Sequence, residues 1–117
     1  MKRDHRLTGS ARFQDIRRNG DCWSDRLLVI CLLPNGLPIS RFGFSVSRRV
    51  GGAVVRNRVR RRVREIVRLR FSKIGTGYDI VFVARIPVAQ ATYSQIEGSV
   101  EKLLRLASLI TVHSETV

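Results

Sequence analysis

Acidic residues are scarce in this sequence. Its 117 residues include nine Asp or Glu against 22 Lys or Arg, which leaves a formal net charge of +13. A chain with this much charge of one sign repels itself and is expected to bind a polyanion, either nucleic acid or an anionic membrane surface. At this length we expect a single small domain, residues 1–117, without room for a separate catalytic module.

Long hydrophobic runs are also missing. The longest, Leu27–Leu33, has seven residues, whereas a membrane-spanning helix needs about 20. The N-terminal segment MKRDHRLTGSAR has no apolar stretch behind its basic residues, so it lacks the pattern of a secretion signal. We therefore expect a cytoplasmic protein.

Cysteine and histidine are rare, with two of each. Cys22 and Cys31 have no CxxC spacing and no nearby histidine, so we expect reduced structural thiols and no metal site. His5 and His113 lie near the two ends and are expected to be solvated. Because the acids are scattered, no general acid–base pair is visible, and we expect no catalytic protein side chain.

Hydrophobic patterning predicts helices alternating with strands. A first helix is expected to begin at Thr8 or Ser10 and to end at Gly20 with a left-handed cap. The run Leu27–Leu33 is apolar on both faces, which predicts a central strand, and Asp21–Trp23 is a weaker candidate for a strand before it.

The stretch Arg41–Arg48 alternates between two kinds of residue. Its Phe and Val positions predict a core face, and the other face is small and polar: Arg41, Gly43, Ser45 and Ser47. That polar face is either solvated or the floor of a groove where a backbone or phosphate comes close.

Two further elements follow the arginine-rich segment. Gly75 to Gly77 predicts a turn before a strand at Asp79–Ala84, and a strand, a helix and a strand in succession indicate a mixed sheet. A last helix is expected to start at Thr92, with a capping box to Gln95. Its predicted buried stripe is Ile96, Val100, Leu103, Leu104 and Ala107.

The densest feature is VVRNRVRRRVREIVR, from Val54 to Arg68, which holds seven arginines and one acid, Glu65. A helical wheel places one apolar stripe against the sheet: Val55, Val59, Val63, Ile66 and Val67. Glu65 can pair with Arg61 or Arg68, which offsets only about a few tenths of a kcal/mol of the repulsion. A helix that needed only solubility would mix acids with bases, so this segment predicts a surface for an anionic partner.

Structured RNA fits this surface better than membrane or DNA. Arginine binds phosphate bidentately and stacks on bases. The valine stripe lacks the bulky residues that insert into a membrane. No helix joined by a short turn precedes the segment, as a helix-turn-helix DNA reader requires. We therefore expect RNA as the partner, with no membrane and no DNA.

The stretch FGFSVSRRVGGAVVRNRVRRRVRE, Phe42–Glu65, resembles the protein subunit of bacterial ribonuclease P. That subunit assists a catalytic RNA in removing the 5′ leader of precursor tRNA. The family's Arg-Asn-Arg signature stands at Arg56, Asn57 and Arg58. Weaker matches extend the resemblance over nearly the whole chain: Leu7, Phe13, Gly20, Arg26, Ala84, Arg85, Thr92 and Tyr93.

The resemblance implies a fold, an α/β (α+β) two-layer sandwich in which a four-stranded mixed sheet packs with three helices. It implies a left-handed βαβ crossover through the arginine-rich helix, where the general rule would give a right-handed one. It also implies that the chain is a subunit of an endoribonuclease holoenzyme whose RNA performs the catalysis and binds most of the Mg²⁺.

The resemblance further implies two binding surfaces, for ribonuclease P RNA and for precursor tRNA. The surface for the catalytic RNA comprises Arg48, Arg49, Arg56, Asn57, Arg58, Arg60, Arg61, Arg64 and Arg68. The cleft for the single-stranded leader, between the first helix and the sheet, comprises Phe13, Arg17, Arg26, Arg41, Ser45 and Ser47.

Three positions depart from the family pattern. Arg17 stands where relatives often carry a second aromatic residue, Cys31 where tyrosine is frequent, and Gly52 where asparagine is common. We expect charge to contribute more to leader binding than stacking does. The alternatives are a basic ribosomal or ribosome-associated structural protein, which has no need of a leader cleft, and an autonomous RNA enzyme.

Overall fold

The computed structural model describes residues 3–110. Its strands are β1 (Asp21–Ser24), β2 (Leu28–Pro34), β3 (Arg41–Ser45) and β4 (Tyr78–Ala84). Its helices are α1 (Ser10–Asn19), α2 (Ala53–Leu69) and α3 (Tyr93–Leu106), with 3-10 turns at Arg3–His5, Phe71–Lys73 and Ile86–Gln90. None of the helices within this described part is long and apolar enough to cross a bilayer.

The sheet is mixed, as predicted, with the strand order β1-β2-β4-β3. The pairs β1–β2 and β2–β4 are antiparallel, whereas β3 and β4 are parallel neighbours joined through α2. The apolar strand β2 is central, which confirms the expectation drawn from its two apolar faces. The handedness of the crossover stays a prediction.

The sheet carries a large core on one face and a smaller one on the other. Leu28, Ile30 and Leu32 of β2 point into the large core, which the apolar sides of α2 and α3 complete. Cys31 points the other way, into a smaller cluster beneath α1 that includes Ile16. The main layers are thus the sheet and the α2–α3 pair, and α1 covers the opposite face.

The first helix ends where the sequence predicts, but its cap differs from the prediction. Gly20 has φ −81° and ψ 169°, an extended conformation rather than a left-handed one. A Cβ atom there would lie 2.5 Å from the carbonyl oxygens of both Ile16 and Leu32. Glycine is required because two backbone segments approach closely where α1 leads directly into β1. The prediction of a left-handed cap is therefore wrong.

The apolar stripe of α2 is confirmed. Its buried residues are Val59, Val63, Ile66 and Val67, and Val55 packs against the same core while partly exposed. In α3, the Thr92 hydroxyl accepts a hydrogen bond from the Gln95 amide and the Gln95 side chain accepts one from the Thr92 amide, which confirms the capping box. The predicted α3 stripe is buried except at Ala107, which is the C-cap and only half-buried.

Two predictions about single residues are wrong. Cys22 and Cys31 lie directly opposite each other on β1 and β2 and form a disulfide, so they are not reduced thiols. His5 is half-buried rather than solvated, since its Nδ1 lies 3.1 Å from the Ser40 carbonyl oxygen and its ring packs edge-on against Phe71. His113 lies outside the described residues.

Candidate nucleic-acid interface

The arginines of α2 are almost free of carboxylate partners. Of the seven between Arg56 and Arg68, only Arg68 forms an ion pair within residues 3–110, and it does so with Glu65 on the same helix. This hydrogen bond raises the pKa of Arg68 and lowers that of Glu65. Six guanidinium groups of α2 thus have no acid from the described chain to neutralise them.

One row of α2 arginines lies toward β3. The guanidinium carbon of Arg64 stands 5.9 Å from the ring centroid of Phe44, which itself stacks on Phe82. One turn earlier, Arg60 donates to the Asn57 side-chain oxygen at 2.9 Å. These contacts orient the side chains without neutralising them, because an aromatic face and an amide carry no net charge.

A second row lies toward the turn Ile86–Gln90. Arg58 donates to the Ala89 carbonyl at 3.2 Å, and Arg62 donates to the Ala91 carbonyl at 3.5 Å. These bonds tie α2 to the segment that leads into α3, a structural role that the sequence pattern did not predict. The carbonyls are neutral, so the positive charge of this row also remains.

The basic surface continues into the turn before α2. Arg48 and Arg49 are both exposed there. The N-cap, Gly52, has no side chain to cap the helix, and the first turn of α2 contains no acid. The unbonded amides at this end carry partial positive charge, which favours an anion.

A cleft opens between α1 and the sheet as two adjoining grooves that share Arg17 and Ser45. The first, of about 530 Å³, is lined mainly by the start of α1 and by Phe13. The second, of about 760 Å³, is also lined by Ser47 and Arg49. Four of the predicted leader-cleft residues, Phe13, Arg17, Ser45 and Ser47, therefore lie together.

The polar face of β3 is covered where α1 crosses it. A Cβ atom added to Gly43 would lie 2.2 Å from Cζ of Phe13, so the aromatic ring rests directly on the strand backbone. Two residues further, Ser45 opens into the grooves. Of the two interpretations left open by the sequence, the groove floor is the one that the structure supports.

Two predicted cleft residues are not brought to the grooves. Arg26 is exposed in the turn between β1 and β2 and lines neither of them. Arg41 binds the carboxylate of Asp79 instead. Conversely, Arg85 lines the second groove, held by a 2.8 Å hydrogen bond to the Asp25 carbonyl. In the sequence Arg85 stood out only as a weak family match after the last strand.

Asp79 is a fully buried carboxylate bound by two arginines. Its Oδ1 accepts hydrogen bonds from Nε of Arg41 at 2.7 Å and from the Asn35 amide at 3.0 Å. Its Oδ2 accepts from Arg41 at 2.6 Å and from Nε of Arg12 at 2.9 Å. Burial alone would raise the pKa of Asp79, but these bonds outweigh it and hold the pKa below its ordinary value.

Most carboxylates of the described chain are engaged in this way. Arg70 bridges Glu97 and Glu101 of α3, and the Ser99 hydroxyl donates to Asp25. No group of three or more His, Cys, Asp or Glu that could hold a metal ion occurs within residues 3–110. Within those residues, no set of side chains therefore matches a magnesium site held by the protein alone.

Comparisons with known proteins agree with this geometry. A family model described as Ribonuclease P matches residues 1–108. The ribonuclease P protein component of Roseiflexus castenholzii is 46% identical over 111 residues, which cover 94% of this chain and 91% of that protein. The corresponding protein of Caldanaerobacter subterraneus is 41% identical over 104 residues, covering 89% of this chain and 90% of that protein.

Solved structures give the same result. The RNase P protein of Staphylococcus aureus matches with a TM-score of 0.85 and 33% identity, over 92% of this chain and 98% of that one. The Thermotoga maritima RNase P protein matches with a TM-score of 0.80 and 31% identity, over 86% and 97%. These matches confirm the α+β fold and support the ribonuclease P interpretation rather than the ribosomal one. The chain belongs to the ribonuclease P protein family.

Proposed function

We propose that this chain acts as the RNA-binding accessory subunit of the ribonuclease P endoribonuclease. In this proposal the arginine surface of α2 binds the ribonuclease P RNA, and the cleft beside α1 binds the single-stranded 5′ leader of precursor tRNA. The protein screens phosphate charge and holds the substrate, and the RNA carries out the phosphodiester hydrolysis.

The observation that carries this proposal is that six of the seven arginines between Arg56 and Arg68 have no carboxylate partner within residues 3–110. Elsewhere in the described chain, arginines such as Arg12, Arg41 and Arg70 are neutralised by acids. The α2 helix keeps its cations on a rigid, valine-backed scaffold, where mutual repulsion is relieved only by an external polyanion. Phosphates supply that charge, and each neutralised phosphate releases condensed counterions.

The cleft has the character of a single-strand binding site. Such sites combine a positively charged groove with an aromatic side chain on which a base stacks. Here Phe13 is the aromatic surface of the first groove, and Arg17, Arg49 and Arg85 supply charge around the second. With three arginines and one aromatic, the balance favours backbone charge over base stacking.

Magnesium belongs to the RNA subunit in this proposal. The carboxylates of the described chain are scattered or bound by arginine, serine or asparagine, so they supply no ready ligand set. The chain's own contribution is to lower the repulsion between the substrate and the catalytic RNA. A lower repulsion reduces the Mg²⁺ concentration that the RNA needs.

Reconstitution at low Mg²⁺ tests the proposal. Purified protein is added to ribonuclease P RNA, and cleavage of a precursor tRNA is followed at a Mg²⁺ concentration at which the RNA alone is slow. The expected result is accelerated cleavage with both components and none with protein alone. Cleavage by protein alone indicates an autonomous enzyme. No effect on the RNA, together with tight binding to ribosomal RNA, indicates the ribosomal alternative.

A further inference from the structure

One buried carboxylate joins both sides of the cleft. Asp79 binds Arg12, which belongs to α1, and Arg41, which belongs to β3. The same helix carries Phe13 and Arg17, and the same strand carries Ser45, so both groove walls are hydrogen-bonded to one side chain. Asp79 itself has no exposed surface and lines neither groove.

The other contacts of α1 with the sheet are mainly apolar. Phe13 rests on Gly43, and Ile16 fills the small core with Leu7 and Val81. Apolar contact is non-directional, so it holds the helix against the sheet but specifies its rotation only weakly. Hydrogen bonds to a fixed carboxylate are directional. Arg12 therefore adds a directional constraint on how α1 is turned over β3.

The Arg12 guanidinium is also fully used by the protein. Besides Asp79 it donates to Asp15 at 2.9 Å and to the Pro34 carbonyl at 3.3 Å. Two carboxylates thus neutralise its single charge. Arg12 lines neither groove, unlike Arg17, which lines both. Its place in the structure is that of an anchor and not of a phosphate ligand.

We propose that Asp79 and Arg12 are positioning residues for the leader cleft, which set the separation of Phe13 and Arg17 from Ser45 without touching RNA. This inference rests on the proposed function, in which the cleft binds the 5′ leader. The carboxylate is held by Asn35 as well, so loosening that amide should shift Asp79 and, through Arg12, the helix.

The experiment uses the complex of the full chain with ribonuclease P RNA. Its affinity is measured for a precursor tRNA with a single-stranded leader and for the same tRNA without one, and the ratio of the two is the readout. Arg12→Gln is expected to lower this ratio about tenfold. The matched control, Arg18→Gln, removes an equal charge from the exposed side of α1 and should leave the ratio unchanged.

A second variant separates positioning from charge. Asn35→Ala changes no charge and lines neither groove, yet it removes one of the bonds that hold Asp79. In Asn35→Ala we expect the leader ratio to fall by about threefold, a smaller decrease than in Arg12→Gln. Thermal unfolding of each variant sets a temperature at which all are folded, and Asn35→Ala alone decides the matter should Arg12→Gln not fold.

Two results overturn the inference while leaving the proposed function standing. One is an unchanged leader ratio in folded Arg12→Gln and Asn35→Ala. The other is a lower leader ratio in Arg12→Gln together with a log–log slope of affinity against salt that is smaller by roughly 0.7. That change is the value for one lost phosphate contact to a single strand, so it would make Arg12 a direct phosphate ligand. A wild-type complex with no preference for the leader would instead overturn the leader function and this inference together.

Discussion

The molecule contains two groups of arginines that behave differently. Arg12, Arg41 and Arg70 are half-buried at the junctions between elements, and each is bound to carboxylates. The row Arg56, Arg60 and Arg64 lies on α2 and has no acid partner within residues 3–110. The first group holds the fold together. The second has no carboxylate partner within the described chain and leaves its charge available.

The difference shows why net charge alone is a poor guide to function. Each paired arginine gains hydrogen bonds and loses its long-range field, because the neighbouring carboxylate cancels it. An unpaired arginine keeps that field, and several on one rigid helix add their potentials. Within residues 3–110, positive charge without a carboxylate partner therefore remains on α2 and around the cleft, whereas the arginines at the junctions between elements are neutralised.

The strongest test of the paired group is Asp79→Asn. This change leaves Arg12 and Arg41 facing a neutral amide, and removing one partner of a buried ion pair costs about 3 kcal/mol of unfolding free energy. Urea denaturation measures the loss. Asp15→Asn is the matched control, since Asp15 also binds Arg12 but its side chain is 44% exposed, and it should leave stability nearly unchanged. Equal effects of the two variants would remove the distinction between buried and exposed pairs.

The pH dependence of stability also tests the contribution of the hydrogen-bonded carboxylates. The pKa values of Asp79 and Asp25 are both lower in the folded protein than their ordinary value, because hydrogen bonds to the ionised carboxylates outweigh burial. Their contribution to the free energy of unfolding is therefore fully present above the pKa of the unfolded chain, near 4. It is lost as the pH falls through the lower pKa values of the folded protein. At pH values below about 4 we expect the melting temperature to decrease as the pH is lowered, and to decrease less steeply in Asp79→Asn. Parallel curves for the two proteins would contradict this assignment.

A smaller loss is expected for Arg70→Gln. Arg70 is half-buried and joins α2 to α3 through Glu97, Glu101 and the Ile66 carbonyl. Loss of these charged hydrogen bonds should cost about 1–2 kcal/mol in urea denaturation. Arg105→Gln, which removes a more exposed partner of Glu101, is the control and should change stability little. A larger loss in the control would show that α3 depends on its surface pairs.

Periodicity and capping rules predicted much of this fold. The two-faced apolar run of β2, the valine stripe of α2 and the capping box at Thr92 all depend on residues close in sequence, so local patterns contain the information. The prediction of a left-handed cap at Gly20 is wrong because a tertiary contact, the close approach of the Leu32 carbonyl, is what requires glycine there. A local sequence pattern contains no information on that contact.

The failures elsewhere have the same origin. The disulfide depends on the register that sets Cys22 opposite Cys31, and spacing along the chain does not reveal register. Arg41 alternates with core residues and so belongs to the polar face of β3, but its partner Asp79 is 38 residues away. Sequence reasoning found the arginine-rich segment and the local pair of Glu65 with Arg68 because both depend on residues close in sequence. It missed the pairs of Arg41 with Asp79 and of Arg70 with Glu97 because those partners are distant in sequence.

The smallest effect on folding and the clearest effect on binding are expected when Arg60 and Arg64 are both changed to alanine. Neither residue has a carboxylate to leave unpaired within the described chain, so urea denaturation should give an unfolding free energy close to that of the unchanged protein. Affinity for ribonuclease P RNA should fall, and the log–log slope against salt should flatten by roughly one unit for each lost phosphate contact. An unchanged slope would remove both residues from the interface, and it would also end the division of the arginines into a structural group and a binding group. Affinity lost together with stability would instead assign Arg60 and Arg64 to the group that holds the fold.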